Sequence, residues 1–159
     1  ITICTNNSEC NFENNHDLNE IVQTQWNELE VKFPEIELDE FIVMPNHVHG
    51  IILTVGAIHE LPLRNRKFFK QHRRKMLLPK VIGYFKMNTA KHINRILNRT
   101  GKPFWQRNYY EHIIRNEKEL YRIREYIQNN PLKWELEREN PISKNFNLDH
   151  DRYWKEVHG

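Results

Sequence analysis

Residues 61–110 contain no aspartate or glutamate, although 28% of the 159-residue chain is charged. Cysteine is scarce as well. Cys4 and Cys10 make neither a CxxC pair nor a disulfide framework, so a reduced, cytoplasmic setting is the default expectation. The five glycines, at 50, 56, 83, 101 and 159, cannot build a phosphate-cradling loop. No Ser or Cys stands in a nucleophile motif. No apolar run approaches the roughly 18 residues of a membrane helix, and no signal-peptide pattern opens the chain, so no membrane partner is expected. The chain starts at Ile1 inside a strand pattern, and residues upstream of it are expected. Its length suits one domain rather than two.

What is present is segregated. The formal net charge of +3 divides into −10 over residues 1–60, +14 over 61–110 and −1 over 111–159. A fifty-residue cationic block without acids suggests a polyanion, usually nucleic acid or an anionic surface; the plainer alternative is a solvated basic face. Four Trp, six Tyr and eight Phe supply anchors for a core.

Residues 1–5 alternate as a strand. Asp17 with Glu20 three positions on predicts a capped helix over 18–32, with Ile21, Trp26, Leu29 and Val31 among its apolar residues, stopped by Pro34. Residues 38–44 and 47–55 read as a hairpin around Pro45-Asn46, with apolar runs suited to strands covered on both faces. Residues 56–78 read as a basic surface insertion. Pro79 is placed to start a helix reaching about Leu97, with Ile82, Phe85, Thr89, Ile93 and Ile96 on one face. Lys80, Lys91 and Arg95 fall opposite, and Lys86 at the border. Residues 108–114 read as a fourth strand. Asn116, with Glu119 three positions on, caps a last helix ending near Pro131, and a polar tail covers 135–159. The order βαββαβ plus a helix predicts an α+β fold: a ferredoxin-like antiparallel sheet with an additional C-terminal helix.

Two features carry chemistry. His47-Val48-His49 puts two imidazoles on one side of a strand, about 7 Å apart by strand geometry, where they can share a divalent metal. Hydrogen-bonded structural histidines are the commoner explanation of a lone HxH, but this pair sits where apolar residues would be expected. A third ligand has to come from elsewhere. On the last helix, Leu120, Ile123 and Ile127 define the core face, and Tyr126 and Asn130 point together into the space over the sheet. A boundary tyrosine with a wetted hydroxyl is the plainer alternative for Tyr126. Phe104-Trp105-Gln106-Arg107 mixes rings and cations as single-stranded nucleic-acid sites do, unless Trp105 is a core plug.

Together these residues resemble a known family. Met44-Pro45-Asn46-His47-Val48-His49-Gly50 resembles the HUH motif of the single-tyrosine transposases. The stretch from Phe104-Trp105-Gln106-Arg107 through Ile114-Arg115-Asn116 resembles the REP-associated branch, and Glu125-Tyr126-Ile127-Gln128-Asn129-Asn130-Pro131 resembles its nucleophile helix. The resemblance covers roughly residues 1–134. It implies a metal-dependent single-stranded DNA endonuclease and strand transferase that acts at hairpin-containing DNA through a 5′-phosphotyrosine intermediate.

Residue by residue, it implies Tyr126 as nucleophile and His47, His49 and Asn130 as ligands of Mg²⁺ or Mn²⁺. Asn130 replaces the Gln of many insertion-sequence members, and its position before Pro131 gives its backbone a reason to leave helical geometry. Lys80, Lys91 and Arg95 are then expected to track phosphates, with Lys86 nearest the scissile group. The basic stretch containing Arg73 and Arg74 would grip a hairpin stem, with Trp105 and Arg107 near the single strand. A monomer and a homodimer are both compatible. Two other readings stand beside this one: a non-catalytic nucleic-acid-binding domain with structural histidines, and a metal-dependent hydrolase that activates water.

Overall fold

A computed structural model describes residues 1–55, 76–131 and 134. Three strands, β1 (Thr2–Cys4), β2 (Ile36–Met44) and β3 (His47–Thr54), form an antiparallel sheet in the order β1-β3-β2. The two-residue Pro45-Asn46 turn pairs Met44 with His47 and puts β3 at the centre. Three helices complete the α+β fold: α1 (His16–Lys32), α2 (Leu77–Ile96) and α3 (Glu117–Asn129).

α1 starts earlier than its Asp17–Glu20 pattern predicts. Asn15 is the cap, its side chain accepting from the Leu18 N–H at 3.3 Å, and Asp17 lies in the first turn near the positive end of the helix dipole. Leu18, Val22, Trp26 and Leu29 form the buried stripe. Val31 lies about 200° round from Leu29, and is 88% exposed rather than in the core. α2 likewise begins at Leu77, two residues before Pro79, so residues 77–78 belong to the helix and not to the insertion. Pro79 is tolerated because first-turn N–H groups have no helical acceptor. Ile82, Phe85, Thr89 and Ile93 are buried as expected, whereas Ile96 is half exposed.

α1 and α2 cover one face of the sheet. Trp26 stacks on Phe41 with ring centroids 4.3 Å apart and meets Phe85 edge-on. Val48 and Gly50 of β3 face this layer. A Cβ at Gly50 would stand 2.5 Å from Trp26 Cη2, so the ring occupies space that only glycine leaves free. The alternation of β3 therefore sends His47, His49 and Ile51 to the opposite face, where α3 packs against β2.

The expected fourth strand is not a regular ladder. Isolated bridges join Thr5 to Trp105 and Thr2 to Tyr110 on the free edge of β1, so five steps along this segment oppose three along β1. Backbone bonds at either end (Gln106 N to Cys4 O, and Tyr110 N to Thr2 O, both 2.9 Å) keep the segment beside the sheet. The surplus residues bulge out and break the pairing. The spatial order is still the ferredoxin-like one, with this segment next to β1, then β3, then β2. Among the described residues no helix is long and apolar enough to cross a membrane. The tail 135–159 and most of the insertion, including Arg73 and Arg74, lie outside the described residues.

Candidate active site

The imidazoles of His47 and His49 lean together. Their ring centroids are 4.5 Å apart and their Nε2 atoms 2.9 Å apart, much closer than the strand repeat alone suggests. Both rings are buried, with His47 fully enclosed. Their outer nitrogens are held by neighbours that the sequence reading did not single out. Asn46 donates through Nδ2 to Ser8 O, which orients its amide so that Oδ1 accepts from His47 Nδ1 at 2.8 Å. With its proton on Nδ1, His47 presents a lone pair at Nε2. The hydroxyl of Thr2, opposite His49 across β1 and β3, lies 2.9 Å from His49 Nδ1. A hydroxyl can donate or accept, so Thr2 serves His49 in either tautomer. Burial pushes the pKa of His47 down to about 3 and that of His49 well below its ordinary value, so both imidazoles are neutral near pH 7.

α3 brings the remaining groups over this face. Asn116 caps the helix as predicted, accepting from the Glu119 N–H at 2.9 Å. Tyr126 lies with its ring 5.5 Å from that of His49. Asn130, one turn further on, keeps helical angles (φ −59°, ψ −41°), so Pro131 does not unwind it. Its side chain is fully buried, and neither Oδ1 nor Nδ2 has a hydrogen-bond partner among the described residues. Trp134, also absent from the sequence reading, places its ring 5.8 Å from His47. Of the predicted core face only Ile127 is fully buried, alongside Glu119. Glu119 accepts from the Arg115 N–H and from His112 Nε2, each at 2.7 Å, and these bonds hold its carboxyl below the usual range. A cleft of about 610 Å³ runs beside the imidazoles, lined by Thr2, His49, Ile51, Tyr110, His112 and Tyr126 among others. His49 and Tyr126 thus open onto one space.

The described residues among those expected to bind DNA separate into three kinds. Lys80, Lys91, Arg95 and Arg107 are exposed. Lys86 is tied down: its ammonium donates to Gln106 O at 2.5 Å and Arg107 O at 3.1 Å, and desolvation lowers its pKa. It anchors the segment beside β1 instead of projecting into solvent. Trp105 sits in the core against Phe12, Phe85 and Phe104, and its indole N–H donates to Thr89 Oγ1 at 2.7 Å. The core-plug alternative describes it, and its ring is not offered to a base. Trp105→Phe is expected to lower stability by about 1–2 kcal/mol through the lost hydrogen bond and ring volume. Hairpin-DNA affinity should stay within about twofold by gel retardation; a large affinity loss in a folded variant would restore the stacking role.

Paired histidines on the central strand of a ferredoxin-like sheet, under a tyrosine-bearing helix, are the arrangement of the single-tyrosine HUH class. The sequence model of the IS200-like transposases matches residues 67–130, which include Tyr126 and Asn130 but not the histidines. A protein of Haemophilus influenzae carrying no functional description is 38% identical over 146 residues, 85% of this chain and 80% of that one. The structure of a REP-associated tyrosine transposase bound to a REP hairpin is similar in fold, with a TM-score of 0.53 at 21% identity. That match covers 84% of this chain and 65% of the other. Over residues 67–130 the chain carries the sequence pattern of the IS200-like transposase family.

Proposed function

We propose that this chain is a metal-dependent endonuclease and strand transferase for single-stranded DNA at hairpins, with Tyr126 as its nucleophile. The observation that carries this reading is the shared cleft: the tyrosine ring and the neutral His49 imidazole, whose Nε2 converges on that of the enclosed His47, open onto one space. Tyr126 would attack the scissile phosphate, joining the phenolic oxygen to the 5′-phosphate and releasing the 3′-oxygen as a hydroxyl. A second 3′-OH can reverse the step on another strand, so the phosphodiester energy is conserved in the covalent link.

The donor set fits a divalent cation. Two Nε2 atoms 2.9 Å apart match neighbouring ligands of an octahedral ion bound at about 2.1 Å. No third His, Cys, Asp or Glu joins the pair among the described residues, and Asn130 on the facing helix is a buried amide with neither polar atom partnered among them. His47, His49 and Asn130 would hold Mg²⁺ or Mn²⁺, with Asn46 and Thr2 fixing the imidazole orientations. When bound, the ion polarises the phosphoryl oxygen and offsets the charge of the transition state.

α3 lies over its own sheet, which supports action of Tyr126 in cis. Lys80, Lys91 and Arg95 occupy the outer side of α2, across the sheet from the imidazoles. They would hold phosphates of a stem wrapping the domain edge, with Arg107 nearer the strand being cut. Arg73 and Arg74 keep their proposed place on the stem. The deciding experiment incubates the protein with labelled hairpin-containing single strands and Mn²⁺, then runs a denaturing gel. A covalent protein–DNA adduct is expected. Cleavage without adduct would leave a hydrolase, and native-gel retardation without cleavage would leave a binding module.

A further inference from the structure

We infer that Asp39 and Glu40, displayed by a β-bulge in β2, are positioning residues. They lock α3 in the rotation that presents Tyr126 and Asn130 to the imidazole pair. The inference rests on the reading of Tyr126 as the nucleophile.

Pairing of β2 with β3 slips between Leu38, opposite Ile52, and Phe41, opposite Gly50: three steps on β2 face two on β3. The extra residue frees the polar groups of Asp39 and Glu40 from the ladder. Asp39 Oδ1 accepts from the Glu40 N–H at 2.8 Å, which orients the carboxylate within the bulge. The same carboxylate takes both faces of the Arg124 fork, with Nε at 3.1 and 3.0 Å from its two oxygens and Nη2 at 2.6 Å from Oδ2. One helical turn later Gln128 Nε2 donates to Glu40 Oε1 at 2.7 Å.

Arg124 and Gln128 lie about 40° apart around α3, on one flank, while Tyr126 and Asn130 lie about 200° and about 240° round from Arg124, on the other. Fastening the first flank to β2 therefore turns the second toward β3. Apolar packing sets this rotation weakly, because Glu119 and Ile127 are the buried residues of the thirteen in α3. Isolated surface ion pairs contribute little. This pair is bidentate, and its carboxylate side chain is 13% exposed. A small helix rotation swings the tyrosine oxygen by ångströms, and a displacement of about 1 Å can cost about a hundredfold in rate.

The test uses Asp39→Asn, Arg124→Ala and the exchange Asp39→Arg/Arg124→Asp in the full chain. Single-turnover adduct formation at saturating hairpin DNA is expected to fall about tenfold or more in the single variants, with DNA affinity within about twofold. The exchange should recover most of that loss. Hydrogen exchange of the α3 amides should quicken at least about tenfold in Asp39→Asn, with β3 unchanged. Full adduct rate together with unchanged α3 exchange would overturn the clamp. Tyr126→Phe run in parallel separates the two readings. If that variant still forms adduct, the nucleophile assignment fails and α3 exchange alone decides the clamp; if it forms none while Asp39→Asn is unaffected in both measurements, only the clamp fails.

Discussion

Tyr126→Phe is expected to abolish the covalent adduct, lowering its yield by at least about a thousandfold, while hairpin retention on a native gel stays within about twofold. The substitution removes one oxygen and keeps the ring, whose centroid lies 5.5 Å from that of His49. Packing of α3 should survive, since its buried apolar contact is Ile127. The cationic surface is untouched. An adduct formed at the normal rate by the Phe variant would move the nucleophile elsewhere. Tyr121, 69% exposed on the outer side of α3, is a poor replacement, and Tyr110, 49% exposed on the wall of the cleft, would be examined next.

Asn130→Leu is expected to separate stability from activity. A buried amide with no hydrogen bond costs about 1–3 kcal/mol relative to a paired one, and leucine keeps the branched shape with two larger methyl groups in place of the polar atoms. Urea denaturation without added metal should therefore show the variant more stable than the parent by about 1 kcal/mol or more. Adduct formation with Mn²⁺ should fall by about a hundredfold or more, and Mn²⁺ affinity measured by calorimetry should weaken with it. A folded site that gives up stability for function is a recognised trade. Unchanged Mn²⁺ affinity, or a variant less stable than the parent with full activity, would remove Asn130 from the ligand set.

Much of the site could be read along the chain because its parts are local and periodic. His47 and His49 share a strand face by the two-residue repeat, and their position among residues that should be apolar marked them as unusual. Tyr126 and Asn130 share a helix edge by the 3.6-residue repeat, and the Asn116–Glu119 cap set the start of α3 correctly. Trp105 shows where this stops. An aromatic next to Arg107 in a basic block suits base stacking and core packing equally, and its bond to Thr89, sixteen residues away, decides for the core.

The errors arise at two levels, the angle of a residue on its own helix and the match between two segments. Val31 has the hydrophobicity of a core residue but the wrong angle on α1. Residues 108–114 read as a strand, yet the stretch beside β1 is 105–110, and its length does not match β1, so the ladder breaks between Trp105 and Tyr110. Whether two segments are commensurate is a property of the pair and not of either one.

The sequence alone determined the α+β order of elements, the facing of the paired histidines, the tyrosine–asparagine edge of the last helix and the acid-free cationic block. The first three follow from backbone periodicity or capping within about twenty residues, and the block from composition. The tertiary structure alone decided that the Nε2 atoms converge to 2.9 Å, that Thr2 and Asn46 hold the imidazoles, and that Asn130 is buried without a partner among the described residues. It also decided that Arg124 meets Asp39 across 85 positions of chain. Such contacts depend on the packing of elements distant in sequence, and on which polar groups that packing leaves to be satisfied by one another.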